Sequence, residues 1–257
     1  MANNSLNLTN ALNVGNITES EFWENMVRAK HRIGVKYQDN VGRIWRFCSF
    51  GEDVAVGKLV QPAAAVEKST CAAGTAGWYK HNYYSANQII YDADGSEMTA
   101  GAYAGWWAAV IAGTGVGQVA RIRDNDSLNL YLEAALGTAL SVSNSAVTLF
   151  PGNPYKDLVK TTGTSSIRRG VVSGAVQVDV SYATYPYAWI LTHGRGIGIT
   201  DAYNYGVGLP LTLSDATTGN QETWTAGSAD ERIVSYVVSY GMATATTNYC
   251  LVDYCIE

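Results

Sequence analysis

The segment Cys250-Leu251-Val252-Asp253-Tyr254-Cys255-Ile256 is apolar at every second residue from Cys250 to Ile256. Successive side chains of a strand point to opposite faces, so this period of two predicts a strand with one buried face. The same period recurs in the segments 44–48, 128–132, 176–182 and 234–240. These strands predict an all-β protein made of short-stranded sandwich or small-barrel units, with one N-terminal helix.

Clusters of Asp, Asn, Gly, Ser and Pro separate the predicted strands, and these residue types favour tight turns. The turn at 151–154 and the polar, glycine-containing stretch 161–166 predict a domain boundary. We therefore expect three parts, which are an extended N-terminal arm over 1–17, a helix plus β-rich domain over 18–160, and a C-terminal β-barrel-like domain over 161–257.

The predicted arm combines two opposed preferences. Asn falls at positions 7, 10, 13 and 16 and disfavours helix and strand interiors, whereas the interleaved leucines favour burial. An arm that docks on another surface satisfies both preferences, and a disordered tail is the alternative.

The segment that follows the arm predicts a helix over 19–31. Thr18 and Glu21 have the spacing of a capping box, and Gly34 is a suitable stop. An apolar stripe at helical intervals consists of Phe22, Trp23, Met26 and Val27.

Charge and hydropathy exclude two classes of partner. Charged residues make up only 15% of the 257 residues, and the formal net charge is −5. Nucleic-acid binding needs a basic stripe, and no run of basic residues is longer than Arg168-Arg169. No segment approaches the roughly 18 apolar residues of a membrane helix, and no signal peptide is evident. We expect no nucleic-acid or membrane partner, and folding in a cytoplasm.

Four cysteines lie at positions 48, 71, 250 and 255. A reducing compartment favours thiols over disulfides. Cys250 and Cys255 are five residues apart on a predicted strand and therefore point to opposite faces. No CxxC spacing occurs. We expect no internal disulfide and no bound metal.

Sequence motifs give little support to catalysis. The glycine-rich stretches 113–118 and 194–198 break the dinucleotide-binding fingerprint, because Gln118 and Ile199 stand at its last glycine position. The three histidines are isolated from one another. Four carboxylate pairs that could support glycoside hydrolysis lie in or beside turn signals, and they are Glu52/Asp53, Asp92/Asp94, Asp124/Asp126 and Asp230/Glu231. We assign no catalytic residue and no cofactor, and expect a non-enzymatic protein.

Aromatic residues are dense between 78 and 107. They suit a core, a sugar-binding platform or an interface between subunits. Trp106 and Trp107 are adjacent in a predicted strand and must face opposite sides, which favours a second surface for at least one of them. With the arm and helix they give a candidate interface, which consists of Leu6, Leu8, Leu12, Phe22, Trp23, Trp78, Tyr83, Tyr84, Trp106 and Trp107.

Three stretches of the sequence form an ordered set. The first comprises 37–47 and 51–61, with a G-x-L-V step at Gly57 to Val60; the second comprises 105–107 and 113–122 followed by 128–132; the third comprises 187–194, 208–214 and 233–238. Taken in this order, they resemble the tailed-bacteriophage capsid decoration (cement, or head-stabilising) protein family.

The resemblance implies a virion protein on the capsid surface that bridges neighbouring capsomers, with the major capsid protein and its own copies, most often in a homotrimer, as partners. It implies no catalytic residues, and folding would take place in the host cytoplasm. Two alternatives stay open. One is a receptor- or glycan-binding virion protein of the fibre or spike type, and the other is a polysaccharide-degrading enzyme.

Overall fold

A computed structural model describes residues 17, 19–64, 66–68, 70–74, 77–79, 82–93, 95, 97–161, 172–201, 205–214, 216–224, 233–243 and 248–256, with the backbone alone for 19, 77–79, 82–84, 86 and 240–243. The predicted arm lies outside these residues except for Ile17, whose side chain is buried in the core. Strands dominate the described residues, so the all-β prediction is confirmed.

Most strands are short, and the three longest, of 14, 9 and 8 residues, lie in the C-terminal third of the chain. The first group is β1 (Lys36–Gln38), β2 (Ile44–Ser49) and β3 (Leu59–Gln61). The middle group is β4 (Val66–Lys68), β5 (Cys71–Ala73), β6 (Gly77–Tyr79), β7 (Asn82–Tyr84), β8 (Ile89–Asp92), β9 (Trp107–Ala112), β10 (Val119–Asn125), β11 (Asn129–Leu132) and β12 (Ala146–Phe150). The last group is β13 (Val159–Lys160), β14 (Gly174–Val176), β15 (Tyr187–Thr200), β16 (Pro210–Leu213), β17 (Gln221–Thr223), β18 (Ser235–Ala243) and β19 (Asn248–Cys255).

The chain forms two compact units, and their division differs from the boundary expected at 160/161. Unit 1 comprises Met1–Ala63 and Pro154–Glu257, and unit 2 comprises Ala64–Asn153. The physical reason is strand pairing: β3 lies between β13 and β14, and β2 pairs with β15, so the first strands belong to the sheet of the last ones.

Unit 1 contains a closed five-stranded barrel. Its strands pair in the circular order β15, β19, β18, β16, β17 and back to β15. The closing contact is a parallel bridge between Thr200 and Gln221. The first half of β15 lies outside the barrel, before a bulge between Leu191 and His193, and pairs with β2 and β14 instead. One long strand thus belongs to both the barrel and the adjoining sheet.

A chain of buried polar groups fills the barrel. The Tyr254 hydroxyl donates to the Ile197 carbonyl at 2.8 Å, and Gln221 Nε2 donates to the Tyr254 oxygen at 3.3 Å. The Ser235 hydroxyl in turn donates to Gln221 Oε1. Burial raises the pKa of the Tyr254 hydroxyl, which keeps it neutral and able to donate. An unpaired buried polar group costs free energy. This series of hydrogen-bonded groups therefore favours one register of the barrel strands.

A cluster of aromatic rings forms another part of the unit 1 core. Phe22 stacks on Trp45 with ring centroids 5.0 Å apart and meets the edge of Trp189 at 5.2 Å. Phe47 contacts Trp189 at 5.3 Å. All four side chains are fully or almost fully buried, and ring pairs of this kind contribute beyond their buried area.

The predicted helix over 19–31 is wrong beyond its first turn. A 3-10 turn spans Glu19–Trp23 and then ends. Met26 forms an antiparallel bridge with Tyr187, donating to the Tyr187 carbonyl at 2.7 Å, so strand pairing replaces the helical hydrogen bond. Among the described residues, no helix is long and apolar enough to cross a membrane.

The alternation over 176–182 also fails to give a continuous strand. The strand β14 ends at Val176, and Val180 makes a single bridge with Val54. The Gln177 side chain turns inward, where its Oε1 accepts from the Ile197 backbone at 2.8 Å. The other four alternating segments lie largely in β2, β11, β18 and β19, as predicted.

Unit 2 has a seven-stranded antiparallel sheet in the order β4, β12, β9, β10, β11, β8, β5. Its two edge strands, β4 and β5, follow each other directly in the chain, so the sheet curls toward itself. Lys68 of β4 reaches Asp92 of β8 at 2.8 Å, and both side chains are buried. Removing either partner of such a pair leaves an uncompensated buried charge. Strands β6 and β7 form a separate hairpin.

The hydrogen-bonded polar groups inside the barrel require a glycine at position 198. A Cβ added to Gly198 would stand 2.5 Å from Gln221 Nε2 and 3.2 Å from the Tyr254 hydroxyl oxygen. We expect Gly198→Ala to lower the free energy of unfolding by about 1–3 kcal/mol, measured by urea denaturation. The matched control is Gly206→Ala, whose Cβ would meet Leu209 only at an ordinary 3.6 Å, and it should change stability by less than about 0.5 kcal/mol. Equal stability of the two variants would contradict the importance of this packing.

Candidate functional site

The outward side of strands β12, β9 and β10 in unit 2 carries large apolar side chains. Trp107 and Phe150 are 42% and 43% exposed, and Ile111 and Val119 are 45% and 59% exposed. The intervening residues of β9, Ala108 and Val110, are buried under the sheet. Alternation along these strands therefore leaves one apolar face outside, and we call Trp107, Ile111, Val119 and Phe150 the aromatic face.

Strand register brings these side chains together. Phe150 of β12 lies directly opposite Trp107 of β9, which lies opposite Arg121 of β10. Two residues before Arg121 on the same face, Val119 of β10 is paired with Ala109 of β9. Directly opposed residues on one face of a sheet have Cβ atoms about 4.5–5.5 Å apart, so Phe150, Trp107 and Arg121 form a continuous row.

The end of this row is polar. Arg121 Nη1 lies 3.3 Å from Glu133 Oε1, and both side chains are about half exposed. An apolar centre with an exposed ion pair at its rim is the usual anatomy of a protein interface. The row consists of two aromatic rings and one guanidinium group, which are groups common in binding surfaces.

The structure separates the residues of the predicted interface. Trp107 and Trp23 are exposed, whereas Phe22 and Trp106 are buried within the chain and therefore cannot contact a partner without rearrangement. The opposite orientation of Trp106 and Trp107 agrees with the sequence prediction. Trp78, Tyr83 and Tyr84 lie in the β6–β7 hairpin, where only the backbone is described, and Leu6, Leu8 and Leu12 lie outside the described residues.

Trp23 is exposed but firmly held. The Arg43 guanidinium lies 5.3 Å from the Trp23 ring centroid and 5.4 Å from that of Trp45. Arg43 Nε is also 2.6 Å from Asp39 Oδ2, which accepts from Trp45 Nε1 at 3.1 Å. The two rings meet edge to face with centroids 5.4 Å apart. Because the cation that contacts both rings is paired with Asp39, we interpret this cluster as a structural element with one open edge.

The sequence reasoning missed three members of the aromatic face, Ile111, Val119 and Phe150. A signal was available only for Val119, because apolar and charged side chains alternate over residues 120–123 and place Val119 on the side of Arg121 and Arg123. Alternation does not tell which of two apolar sets faces outward, and the strand 107–112 is apolar on both sides.

Most of the carboxylates that could have formed catalytic pairs have structural roles. Asp126 Oδ1 accepts from the backbone of Leu128 and Asn129 at 2.8 and 2.7 Å, and these bonds help to lower its pKa although burial opposes them. The turn role predicted for Asp126 is thus confirmed. Asp92 instead forms the buried pair with Lys68. Asp94, Asp230 and Glu231 lie outside the described residues.

Histidine and glycine motifs also take structural places. His31 Nε2 lies 3.1 Å from Glu21 Oε2, and His193 lies inside β15. Residues 113–117 form the turn between β9 and β10. Within the described ranges, no group of three or more His, Cys, Asp or Glu residues could hold a metal ion.

Comparison of the chain with protein-family models, curated proteins and solved structures gives no match. The function is therefore inferred from the residues of this chain and their geometry.

The four cysteines are thiols in the structure, and their settings differ. Burial raises the pKa of the Cys250 thiol to about 11, so its thiolate fraction at pH 8 is about 0.1%. Cys255 is only half-buried.

We expect iodoacetamide at pH 8 to label Cys255 much faster than Cys250, and Cys250 labelling to rise steeply as the pH approaches 11. Tandem mass spectrometry would measure both sites, with urea-unfolded protein as the control for equal labelling. Native labelling of Cys250 at the rate of Cys255 would contradict the buried position of this thiol.

Proposed function

We propose that this chain is a non-enzymatic virion structural protein that binds the outside of an assembled tailed-phage capsid. It stabilises the shell by bridging neighbouring capsomers. The class of partner rests on the sequence resemblance described above. The observation that carries the binding role is the aromatic face, where exposed Trp107 and Phe150 are direct neighbours on paired strands, because contiguous exposed apolar patches mark interaction sites.

The physical mechanism is mass action. A protein that binds only the assembled shell lowers the free energy of that state relative to free capsomers. Each contact of a face this size can be weak, because an oligomer that engages several capsomers at once raises the effective concentration of every further contact. A homo-oligomer, with a trimer as the first expectation, supplies this multivalency.

The aromatic face suits such a contact in both composition and arrangement. Trp107 and Phe150 offer large rigid rings on paired strands, and tryptophan is enriched among the residues that dominate interface energies. The Arg121–Glu133 pair at the rim restricts orientation without the cost of burying an isolated charge.

The test uses empty shells of the phage that encodes this chain, prepared without it. The wild-type protein should co-sediment with the shells to saturation and raise the temperature at which they disrupt. The double variant Trp107→Ala/Phe150→Ala should bind at least about ten-fold more weakly, since truncated hot-spot aromatics commonly cost more than 1–2 kcal/mol. Tyr236→Ala is the matched control, because Tyr236 is 43% exposed on β18 of unit 1 and should not affect binding.

The same assay tests the predicted arm. Removal of residues 1–16 keeps Ile17, whose side chain belongs to the unit 1 core, so the shortened protein should fold. If the arm contributes to docking, its removal weakens co-sedimentation. Wild-type protein that stays in the supernatant would contradict the proposed function, and unchanged binding of the double variant would contradict the role of the aromatic face.

A further inference from the structure

A groove of about 1030 Å³ lies in unit 1, well apart in sequence from the aromatic face. Three loop segments line it, namely 52–58, 179–185 and 216–218, together with Asn25 and Lys160. Its size is at the upper end for small-molecule sites, which commonly measure about 300–1000 Å³.

The walls of the groove are held in place by backbone hydrogen bonds. Val54 and Val180 form a two-way bridge with N–O distances of 3.1 and 2.8 Å, and both side chains are buried beneath the groove. The third wall is fixed by the Ser214 hydroxyl, which accepts from the backbone of Ala216 at 3.0 Å and Thr217 at 2.8 Å. A site with fixed walls loses little entropy when a ligand binds.

Asp53 and Asp179 of the groove are each anchored through one oxygen, whereas both oxygens of Glu52 are engaged by the backbone N–H and the ammonium group of Lys160. Asp53 Oδ1 accepts from Tyr182 N at 2.7 Å, and Asp179 Oδ1 accepts from Val56 N at 2.8 Å. An ionised carboxylate has about four lone-pair sites on two oxygens, so each group retains acceptor capacity for a ligand. The anchoring fixes the direction from which a donor must approach.

A lysine supplies a donor on the other side. Lys58 Nζ donates to the Thr218 carbonyl at 2.9 Å and to Asn220 Oδ1 at 2.6 Å. An ammonium group has three donors, so one more donor is available to a ligand. Burial and the neighbouring charge of Lys160 lower the pKa of Lys58, which shows that the two amines share this region.

An aromatic ring completes the lining. Tyr185 is 39% exposed, and its backbone N–H donates to the Ser181 carbonyl at 2.6 Å, so the turn that carries the ring is closed. A ring of this kind offers a flat apolar surface beside hydroxyl, carboxylate and ammonium groups. Few placed polar groups next to an apolar surface are typical of sites that recognise small polar molecules.

The charges decide which class of ligand fits. Glu52 and Lys160 pair with each other at 3.4 Å. Two carboxylates, from Asp53 and Asp179, and the ammonium group of Lys58 therefore remain for a ligand. An anion would meet more negative than positive groups, and the described carboxylates do not cluster as a metal site requires. A neutral molecule whose groups both donate and accept hydrogen bonds can use both signs, and sugar hydroxyls do so while the C–H face of a pyranose ring covers an aromatic ring.

We propose that the unit 1 groove binds a neutral oligosaccharide, with Tyr185 under one sugar ring and Asp53, Asp179 and Lys58 bonded to hydroxyl groups. This site goes beyond capsid binding and uses none of the residues of the aromatic face. On a virion surface it would add attachment to glycans.

The test uses the isolated full-length protein without capsids, so its outcome is separate from that of the co-sedimentation assay. An array of neutral tri- to hexasaccharides identifies the best ligand, and isothermal titration follows with that ligand, with maltotriose and chitotriose as defined neutral probes, and with trigalacturonic acid as the acidic probe. We expect saturable binding of a neutral oligosaccharide and weaker binding of the acidic probe.

Variants at one position separate stacking from a general loss of structure. Tyr185→Ala should weaken binding at least ten-fold, Tyr185→Phe should retain it, and Tyr236→Ala should leave it unchanged. Absence of binding to every neutral probe at 10 mM would overturn the proposal, as would tighter binding of trigalacturonic acid or unchanged affinity of Tyr185→Ala.

Discussion

The strand β15 has to serve two sheets at once, and three glycines allow it to do so. Gly194 has a φ of +95°, a backbone conformation that other residues rarely adopt, and it lies just after the bulge where β15 passes from β2 and β14 to β19. A Cβ at Gly196 would stand 2.7 Å from Gln177 Oε1, and a Cβ at Gly198 would enter the polar chain of Gln221 and Tyr254. A larger residue at either of the last two positions would clash with the side chains that pack against β15.

Each candidate binding surface is held in place by contacts with the packed framework of its own unit. In unit 1, the loop 52–58 is held against the framework because Gly57 N donates to the Val176 carbonyl at 2.7 Å, and Ile199 N donates to the Gly57 carbonyl at 3.1 Å. That loop forms one wall of the groove. In unit 2, the buried Lys68–Asp92 pair and the apolar inner side of β9 fix the sheet whose outer side is the aromatic face. The two surfaces differ in chemistry, since one is an apolar face with a charged rim and the other is a polar groove with a single aromatic ring.

The sequence predicts the fold better than it predicts the sites. Alternation in 250–256 and 234–240 is sufficient to identify two strands of the barrel, because apolar residues recur at every second position of a strand with one buried face. The helix prediction failed after Trp23. The backbone of Met26 pairs with that of Tyr187 instead, and this contact joins residues that are far apart in the sequence. The groove could not be predicted for the same reason, since Lys58 and its acceptor Asn220 are 162 residues apart. Trp107 was identified as a candidate contact, but no local pattern shows that Phe150 lies opposite to it.

If this chain covers the outside of a phage capsid, as we propose, electron cryomicroscopy should locate it there. Virions of the proposed phage would be imaged with a small protein fused to the C-terminus of the chain, beside virions that carry the untagged chain. We expect the additional density to lie on the outer capsid surface where capsomers meet, repeated with the symmetry of the shell. Additional density confined to the tail or its fibres, or virions that lack the chain altogether, would contradict it.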